Sequence, residues 1–400
     1  MRTVGIICEY NPYHAGHAYQ LRAARRSTNA EVVIAVMSEH TTQRGEPSVA
    51  DGYVRAEAAV RSGADLVIGL PFPYSSAPAE FFALAGVRIL DALGADALHF
   101  GSESGSIDAL SNAAAQLYAP DFIAALTDYQ QSHPTLGIME CREALYKQRY
   151  GTPLPDGSND LLGIAYLHAL QTTGSAMQPC TVTRKGQAYN DQSTPNASQA
   201  PSASALRALW QKNGLDALRL HLPSAVLEVL LRAEQQGLAP LNIEQIGTAL
   251  VSFYRLADPA MLSCCADMDG GLAERLCNAA HKTTDLASLL AAASTRRYTD
   301  GRLRRSLLYG ICGVASDDLS APPAYVRLLG ASERGCAYLS SIRKSCSLPI
   351  LTKPADIPVH PDAQRQRKIE ERLEALLTLA LPAPKEAGWL LRKSPYIEKV

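Results

Sequence analysis

The sequence predicts an α/β fold in which a doubly wound parallel sheet is followed by a mostly helical C-terminal domain. Four short apolar segments alternate with helical segments in the first hundred residues, a pattern typical of βαβ units. From about residue 215 onward strand signals end, and Leu, Ala and Arg recur at helical spacing. A chain of 400 residues is long enough for roughly two or three domains. We therefore expect an α/β domain in residues 1–214 and a helical domain in residues 215–400.

Each element of the first domain follows from its local pattern. Runs rich in Val, Ile and Leu predict strands at residues 3–8, 31–37, 65–70, 95–101 and 180–185. Apolar residues at helical spacing predict helices at residues 16–26, 52–62 and 79–93. A doubly wound sheet binds its ligand at the carboxyl ends of the strands. Topology alone therefore makes site candidates of the residues that follow Cys8, Met37, Leu70 and Phe100.

The remaining segments are predicted to be mostly helical or irregular. Residues 107–169 carry helical patterns interrupted by prolines and by a turn. A polar stretch at 187–202 predicts a long loop of the kind that often contributes to binding, and a helix begins near Ser204. Over residues 365–377, Arg, Lys and Glu at i,i+4 spacing predict an exposed amphipathic helix.

The composition excludes a largely disordered chain, a collagen-like chain and a coiled-coil rod. Apolar residues make up 47% and charged residues 19%, which is typical of a globular chain. The 38 bases and 39 acids give a net charge of -1, so any nucleic-acid binding requires a local basic patch. No apolar segment reaches the roughly 18 residues of a membrane span, and no signal peptide is recognisable, which favours a cytoplasmic protein without a membrane partner. Nine cysteines without C-x-x-C pairs favour reduced thiols over a disulfide framework.

The motif with the clearest chemistry is GIICEYNPYHAGH at residues 5–17. A strand ends, the chain turns at an Asn-Pro pair, and a helix begins with His14, Gly16 and His17. Gly16 lets a nucleotide approach the backbone, and the helix start favours phosphate. The two imidazoles lie on one helix face and can donate to phosphate oxygens in a transition state. The motif predicts phosphoryl or nucleotidyl transfer with Mg²⁺ as counter-ion. The alternative is that the two histidines are capping or surface residues. A zinc site is less favoured because no third ligand is recognisable, and no protein metal site is predicted.

This strand–turn–helix unit resembles the nucleotidyltransferase branch of the Rossmann-like enzymes, which includes the class I aminoacyl-tRNA synthetases. Further motifs follow it in order: VMS at 36–38, QRGEP at 43–47, LPFPY at 70–74, FGSE at 100–103, NDLLG at 159–163, TRKG at 183–186, ASALR at 203–207 and YVRLLG at 325–330. Together they resemble the bacterial tRNA(Met) cytidine acetate ligase family across nearly the whole chain. The resemblance implies a Rossmann-like sheet of the nucleotidyltransferase type.

The resemblance also implies an activity. Such ligases use ATP, with Mg²⁺ on the nucleotide, to activate acetate as acetyl-adenylate. The acetyl group then passes to the exocyclic amine of the wobble cytidine of elongator tRNA(Met), giving 4-acetylcytidine. Residues 1–214 would then be the ATP-binding catalytic domain, and residues 215–400 the tRNA-binding domain. The partners would be acetate and elongator tRNA(Met), and a homo-oligomer is compatible with the sequence.

Roles are carried over from the family residue by residue. His14 and His17 are the expected catalytic residues, contacting phosphates and supporting the adenylation transition state. The residues expected to bind ATP are Ile7, Cys8, Glu9, Tyr10, Asn11, Pro12, Tyr13, Ala15, Gly16, Gln20, Gly101, Asn159, Arg184, Ser204 and Arg207. The loop after the second strand is expected to shape the acetate or cytidine pocket through Gln43, Arg44 and Glu46. For Arg184, Ser204 and Arg207 the alternatives are an ordinary surface arginine, an N-cap and a solvated helix arginine.

A basic cluster is the candidate tRNA-binding surface. It consists of Arg296, Arg297, Arg302, Arg304 and Arg305. Arginines neutralise phosphates and release counterions, and the neighbouring Tyr298 is expected to stack on a base. The alternative is a solvated cationic helix face.

Two other functions stay open at this point. One is a nucleotidyltransferase that forms a dinucleotide or activated-sugar cofactor, which the basic helical half argues against. The other is a non-catalytic protein that binds ATP and tRNA. It stays open because residues 39–42 and Asn190 depart from the family pattern.

Overall fold

The structure is a computed structural model that describes residues 1–183 and 201–399. The strands are β1 (Thr3–Cys8), β2 (Val32–Ser38), β3 (Leu66–Leu70), β4 (Ala97–Ser102), β5 (Gln178–Thr183), β6 (Val326–Ala331), β7 (Ile350–Leu351) and β8 (Tyr396–Ile397). The helices up to residue 214 are α1 (Ala15–Thr28), α2 (Gly52–Val60), α3 (Ala79–Ala92), α4 (Ile107–Leu117), α5 (Pro120–Ser132), α6 (Ile138–Tyr150), α7 (Ser158–Thr173) and α8 (Ala203–Asn213). The later helices are α9 (Ser224–Gln235), α10 (Ile243–Leu256), α11 (Pro259–Leu262), α12 (Leu272–Lys282), α13 (Leu286–Ala293), α14 (Asp300–Cys312), α15 (Ser316–Ser320), α16 (Glu333–Ile342) and α17 (Pro361–Leu379).

The strands form one mixed sheet in the order β5-β4-β1-β2-β3-β6-β7, with β8 beside β6. The first five strands run parallel; Thr3 of β1 lies opposite Val32, and Val4 lies opposite Ala97. From β1 the chain proceeds to β2 and β3 on one side, then returns to β4 and β5 on the other. A topological switch point therefore lies between β1 and β4. The predicted doubly wound parallel sheet is confirmed.

Helices cover both faces of the central strands. Every residue of β1, β2 and β3 is buried, and Val and Ile dominate, as expected of parallel strands covered on both sides. Successive side chains enter different cores: Ile34 and Ile68 pack with α3 and α7, whereas Val33 and Val67 pack with α1 and α2. This packing holds the strand ends against the starts of the helices.

The expectation that strands end near residue 215 is wrong, because β6 joins the sheet antiparallel to β3. All six residues of β6 are buried, including the charged Arg327, a residue type that sequence patterns do not assign to a buried strand. The Arg327 guanidinium lies 2.6 Å from Glu370 and 3.5 Å from Glu39, so two carboxylates offset its buried charge. The rest of the second half is mostly helical, as predicted. The domain boundary after residue 214 stays a prediction, since one hydrophobic core contains residues from both sides of it.

The helix predicted to be exposed near the C-terminus is α17, and one of its faces is buried. Glu370 accepts a hydrogen bond from the hydroxyl of Tyr325 at 2.8 Å. Glu374 accepts hydrogen bonds from the main-chain N–H groups of Gly388 and Leu390, the latter at 2.8 Å. These acids bind groups distant in sequence, which the i,i+4 pattern of the helix does not reveal.

All nine cysteines are free thiols. In the described ranges, no helix combines the length and the apolar character needed to cross a membrane.

The guanidinium of Arg55 on α2 joins the carboxyl ends of two central strands. Its side chain is 1% exposed. It donates to the carbonyl oxygens of Ser38 at 2.7 Å and Ala50 at 2.9 Å, and also to those of Glu9 and Glu39. The loops after β1 and β2 are therefore held together by one side chain.

We expect Arg55→Lys to lower the free energy of unfolding by about 2–4 kcal/mol. An ammonium is a compact charge and cannot replace the planar guanidinium, so buried carbonyl oxygens lose their donors. Denaturant unfolding would measure the loss. Arg61→Lys at the end of α2 is the control: its exposed pair with Glu228 should be worth at most about 1 kcal/mol. Equal losses for the two variants would contradict this role of Arg55.

Candidate active site

A cavity of about 290 Å³ opens at the carboxyl ends of β1 and β4, at the switch point of the sheet. The predicted site residues that line it are Ile7, Cys8, Glu9, Tyr10, Asn11, His14, His17, Gln20, Gln43, Arg44, Gly101 and Asn159. The fold thus gathers the loop after β1, the loop after β2 and the end of β4 around one space.

Other predicted residues lie elsewhere. Those beside the cavity that do not line it are Pro12, Tyr13, Ala15, Gly16, Glu46, Ser204 and Arg207. Arg184, Asn190 and most of the polar stretch that begins at residue 187 lie outside the described residues.

Some lining residues were missed by the sequence analysis. They are Ala79, Phe82, Phe100, Ser158, Leu161, Leu162, Tyr166, Ser202 and Ala203. Most are apolar side chains of α3 and α7, which the helical pattern assigns to the core. The signal that could have found them is their position after strand ends or beside the predicted Asn159.

The two histidines are fixed by capping hydrogen bonds at the start of α1. His14 is the N-cap, and its Nδ1 accepts the N–H of Gly16 at 3.0 Å. Nδ1 of His17 accepts the main-chain N–H of His14 at 3.3 Å. The rings stack with centroids 3.9 Å apart. Because a neutral imidazole carries one proton, these bonds make Nε2 the donor nitrogen of both rings.

Gly16 also has a role within the helix start itself. It is not among the residues that line the cavity. A Cβ at this position would lie 2.8 Å from Cε1 of His14 and 3.0 Å from Nδ1. Gly16 therefore leaves room for the His14 ring to fold back over the helix start.

The start of α8 forms another wall of the cavity. Ser202 is its N-cap and accepts the N–H of Ala205 at 3.1 Å. Arg207 donates to the carbonyl oxygen of Asn11 at 3.0 Å and lies 3.2 Å from Glu46. In this structure Arg207 supports the first loop, and Ser204 is not the cap.

The loop after β2 carries Gln43 and Arg44 into the cavity wall. The four residues before them, 39–42, are all buried and do not line the cavity. Thr42 accepts the N–H of Glu46 with Oγ1 at 3.2 Å, and Ser76 donates to the carbonyl oxygen of Thr42 at 2.9 Å. Residues 39–42 therefore belong to the support of the loop.

Glu9 is half-buried and lines the cavity. Its Oε1 accepts the main-chain N–H of Gln43 at 2.8 Å, and the Gln43 amide donates to the carbonyl oxygen of Ala77 at 2.9 Å. Burial raises the pKa of the Glu9 carboxyl, while the Gln43 hydrogen bond and Arg207 oppose the rise.

Asn159 is held at the start of α7 by a carboxylate on the loop after β4. Its side-chain amide donates to Oε1 of Glu103 at 2.6 Å, and its main-chain N–H donates to Oε2 at 3.1 Å. In return, Asp160 accepts the N–H of Glu103 at 3.0 Å. Glu103 and Asp160 were not predicted, although both lie in the motifs FGSE and NDLLG.

The arginines of the basic cluster differ in pairing and in exposure. Four members have acidic partners: Arg297 (at 3.9 Å) and Arg302 with Asp269, Arg304 with Glu46 at 3.8 Å, and Arg305 with Asp267 at 3.4 Å. Arg296 and Arg297 are exposed.

The expected base stacking by Tyr298 is wrong. Its ring is buried, and its hydroxyl donates to the carbonyl oxygen of Gly270 at 2.6 Å. Arg297 and Arg302 lie over the ring, which is therefore a support for the arginines.

Known proteins are similar to this chain in sequence and in fold. The model of a family described as HIGH Nucleotidyl Transferase matches residues 1–387. The tRNA(Met) cytidine acetate ligase of Syntrophotalea carbinolica is 38% identical over 361 residues, covering 88% of this chain and 85% of its own. The ligase of the same name from Acetivibrio thermocellus is 33% identical over 398 residues, covering 94% of each chain.

Two solved structures of Thermotoga maritima TmcAL are similar over the full length of both chains. The apo crystal structure has a TM-score of 0.92 at 29% identity. The crystal structure bound with alpha-thio ATP has a TM-score of 0.89 at 29% identity. The relative thus binds an ATP analogue on the fold described above.

We expect Gly16→Ala to weaken ATP binding about tenfold, equivalent to about 1.4 kcal/mol. The added Cβ displaces the His14 ring and breaks its capping hydrogen bond. Calorimetric titration with ATP would measure the change. Gly301→Ala on α14 is the matched control, since its Cβ would meet nothing closer than 3.7 Å. Unchanged ATP affinity in Gly16→Ala would contradict this role of the glycine.

Proposed function

The chain belongs to the tRNA(Met) cytidine acetate ligase family, and from this membership we propose that it is an ATP-dependent carbon–nitrogen ligase. It activates acetate as acetyl-adenylate and acetylates the exocyclic amine of the wobble cytidine of elongator tRNA(Met). The product is 4-acetylcytidine. The observation that carries the proposal is the capped His14–His17 pair on a cavity at the switch point, in a fold whose solved relative binds an ATP analogue.

In the first half-reaction an acetate oxygen attacks the α-phosphorus of ATP, and the bond to pyrophosphate breaks. Charge develops on the phosphate oxygens, and preformed donors stabilise it more than they stabilise the ground state. The Nε2–H groups of His14 and His17 are such donors, since Nδ1 of each ring is already engaged. The apolar side chains of Phe82 and Phe100 offer dry surface for the adenine or the acetate methyl.

The described residues contain no group of three or more metal-ligating side chains. Mg²⁺ would therefore be bound mainly by the triphosphate and by water, as is usual for this ion, and would offset phosphate charge.

In the second half-reaction the tRNA must reach the same cavity. Arg304 on α14 lies beside Glu46, and Glu46 also pairs with Arg207 at the first loop. The basic cluster is therefore adjacent to the cavity wall. The exposed Arg296 and Arg297 are the members best placed for phosphate contacts. Because its substrate would be a tRNA, the proposed location of the enzyme is the cytoplasm.

Acetate-dependent ATP–pyrophosphate exchange tests the adenylation step. We expect exchange with acetate and little with propionate, glycine or no acid. His17→Ala removes one phosphate donor and should lower exchange more than tenfold, or more than about 1.4 kcal/mol of barrier. ATP binding without exchange would favour the non-catalytic binder. Carboxylate-independent exchange with a nucleotide or sugar phosphate would favour a cofactor-forming transferase.

The contribution of the exposed arginines is measured with tRNA(Met). Arg296→Ala combined with Arg297→Ala should raise the KM for tRNA and reduce the salt-dependence slope by about 1–2, because up to two phosphate contacts are lost. Exchange without tRNA should stay at the wild-type rate. Arg367→Ala on α17, which removes an exposed pair with Glu371, is the control. An unchanged KM and slope would show that the tRNA lies elsewhere.

A further inference from the structure

Acetyl transfer releases a proton from the attacking amine, whereas adenylation releases none. The exocyclic amine of cytidine attacks the acetyl carbon through its nitrogen, and this nitrogen must lose one proton to become an amide. A side chain that accepts this proton in the transition state can contribute a rate factor of about 10²–10⁴. A proton acceptor in the cavity, in addition to the phosphate donors, would therefore speed the transfer.

Among the described residues that line the cavity, few can accept a proton near neutral pH. Burial raises the pKa values of the Cys8 thiol and of the Tyr10 and Tyr166 hydroxyls, which keeps all three protonated. The basic nitrogen of each histidine, Nδ1, already accepts a main-chain N–H. One carboxylate remains, that of Glu9.

We propose that Glu9 is the general base of the acetyl-transfer step, taking the proton from the cytidine amine as the acetyl group arrives. This inference rests on the proposed function and assigns a catalytic role that adenylation does not use.

The position of the carboxylate supports this role. Glu9 belongs to the same loop as the histidine pair, and Oε1 is fixed by the N–H of Gln43 on the loop expected to hold acetate or cytidine. The Gln43 side chain is itself tied to the carbonyl oxygen of Ala77. In the part of the chain that the structure describes, Oε2 has no hydrogen-bond partner. One oxygen therefore orients the group, and the other is left as an acceptor on a side chain that lines the cavity.

The electrostatic setting also suits a base. Burial raises the pKa of Glu9, so its carboxylate binds a proton more tightly than an exposed one would. Above that pKa the group is ionised and can act. The ionisable groups that face it from neighbouring elements are His14 and His17 of α1, Arg44 and Glu46 of the loop after β2, Arg55 of α2, Tyr166 of α7 and Arg207 of α8.

The step is balanced without a further reactant. The amine nitrogen forms the C–N bond to the acetyl carbon, and the C–O bond to the adenylate phosphate breaks with its electron pair leaving on AMP. One amine proton passes to Oε2 of Glu9. The products are 4-acetylcytidine, AMP and protonated Glu9, which returns its proton to solvent.

The test separates the two half-reactions in the full-length protein. Wild type, Glu9→Gln and Glu9→Asp are mixed with synthetic acetyl-adenylate and tRNA(Met), and 4-acetylcytidine is followed in single turnovers from pH 5 to 9. ATP–pyrophosphate exchange is measured on the same preparations. Glu103→Gln is the matched control. The Glu103 carboxylate anchors Asn159, so its loss should slow exchange and transfer by similar factors.

We expect Glu9→Gln to slow acetyl transfer at least 100-fold and to slow exchange much less. The wild-type transfer rate should rise with pH through the Glu9 titration and then level off. Glu9→Gln should lose this acidic limb, and Glu9→Asp should retain it at a reduced rate. These two results would not follow from a purely structural role.

Different failures are distinguishable. If wild type forms no 4-acetylcytidine from acetyl-adenylate, the proposed function itself fails. If wild type transfers acetyl but Glu9→Gln transfers at a similar rate, only the role of Glu9 is overturned. Equal losses in exchange and transfer, or an acidic limb that persists in Glu9→Gln, would also overturn it.

Discussion

The guanidinium of Arg55 is buried at the point where β1 and β2 end, and it binds main-chain carbonyl oxygens from both loops. Burying a charge is costly unless hydrogen bonds and opposite charges replace water. Four carbonyl oxygens supply the hydrogen bonds, and the nearby carboxylates of Asp51, Glu9 and Glu39 favour the charged form. The loop with the histidines and the loop with Gln43 are consequently fixed to each other. The relative placement of donors and acceptors in the cavity depends on this interaction.

A second buried network extends this support to the C-terminal half. Glu39 follows β2 directly and pairs with Arg327 on β6, which also pairs with Glu370 on α17. Burial raises the pKa of Glu39, and Arg327 opposes the rise. Because removing one member leaves an unpaired buried charge, the helical half and the catalytic loops are structurally coupled.

Local sequence signals were sufficient for much of this architecture. The strands β1 to β5, the first three helices and the histidine motif follow from apolar runs, helical spacing and one short motif. Arg55, β6 and the buried face of α17 could not be found in this way, because their partners lie far away in sequence. Sequence patterns assign an isolated Arg or Glu to the surface unless its partner in the fold is known. Tyr298 was misassigned for the same reason, since its covering residues belong to other turns and helices.

The first loop contains both hydrogen-bond donors, the two histidines, and a proton acceptor, Glu9. Its geometry explains how one short segment can hold both. Adenylation needs donors toward phosphate, and the capping bonds make Nε2 the donor nitrogen of both histidines. The same bonds occupy the basic nitrogens, so neither neutral ring can serve as the base of a later step without breaking the cap. A strand end that turns directly into a helix start places a carboxylate five residues before the first histidine. One short segment can therefore bind the phosphates through its helical end and accept a proton at its strand end, without rearranging between the two half-reactions.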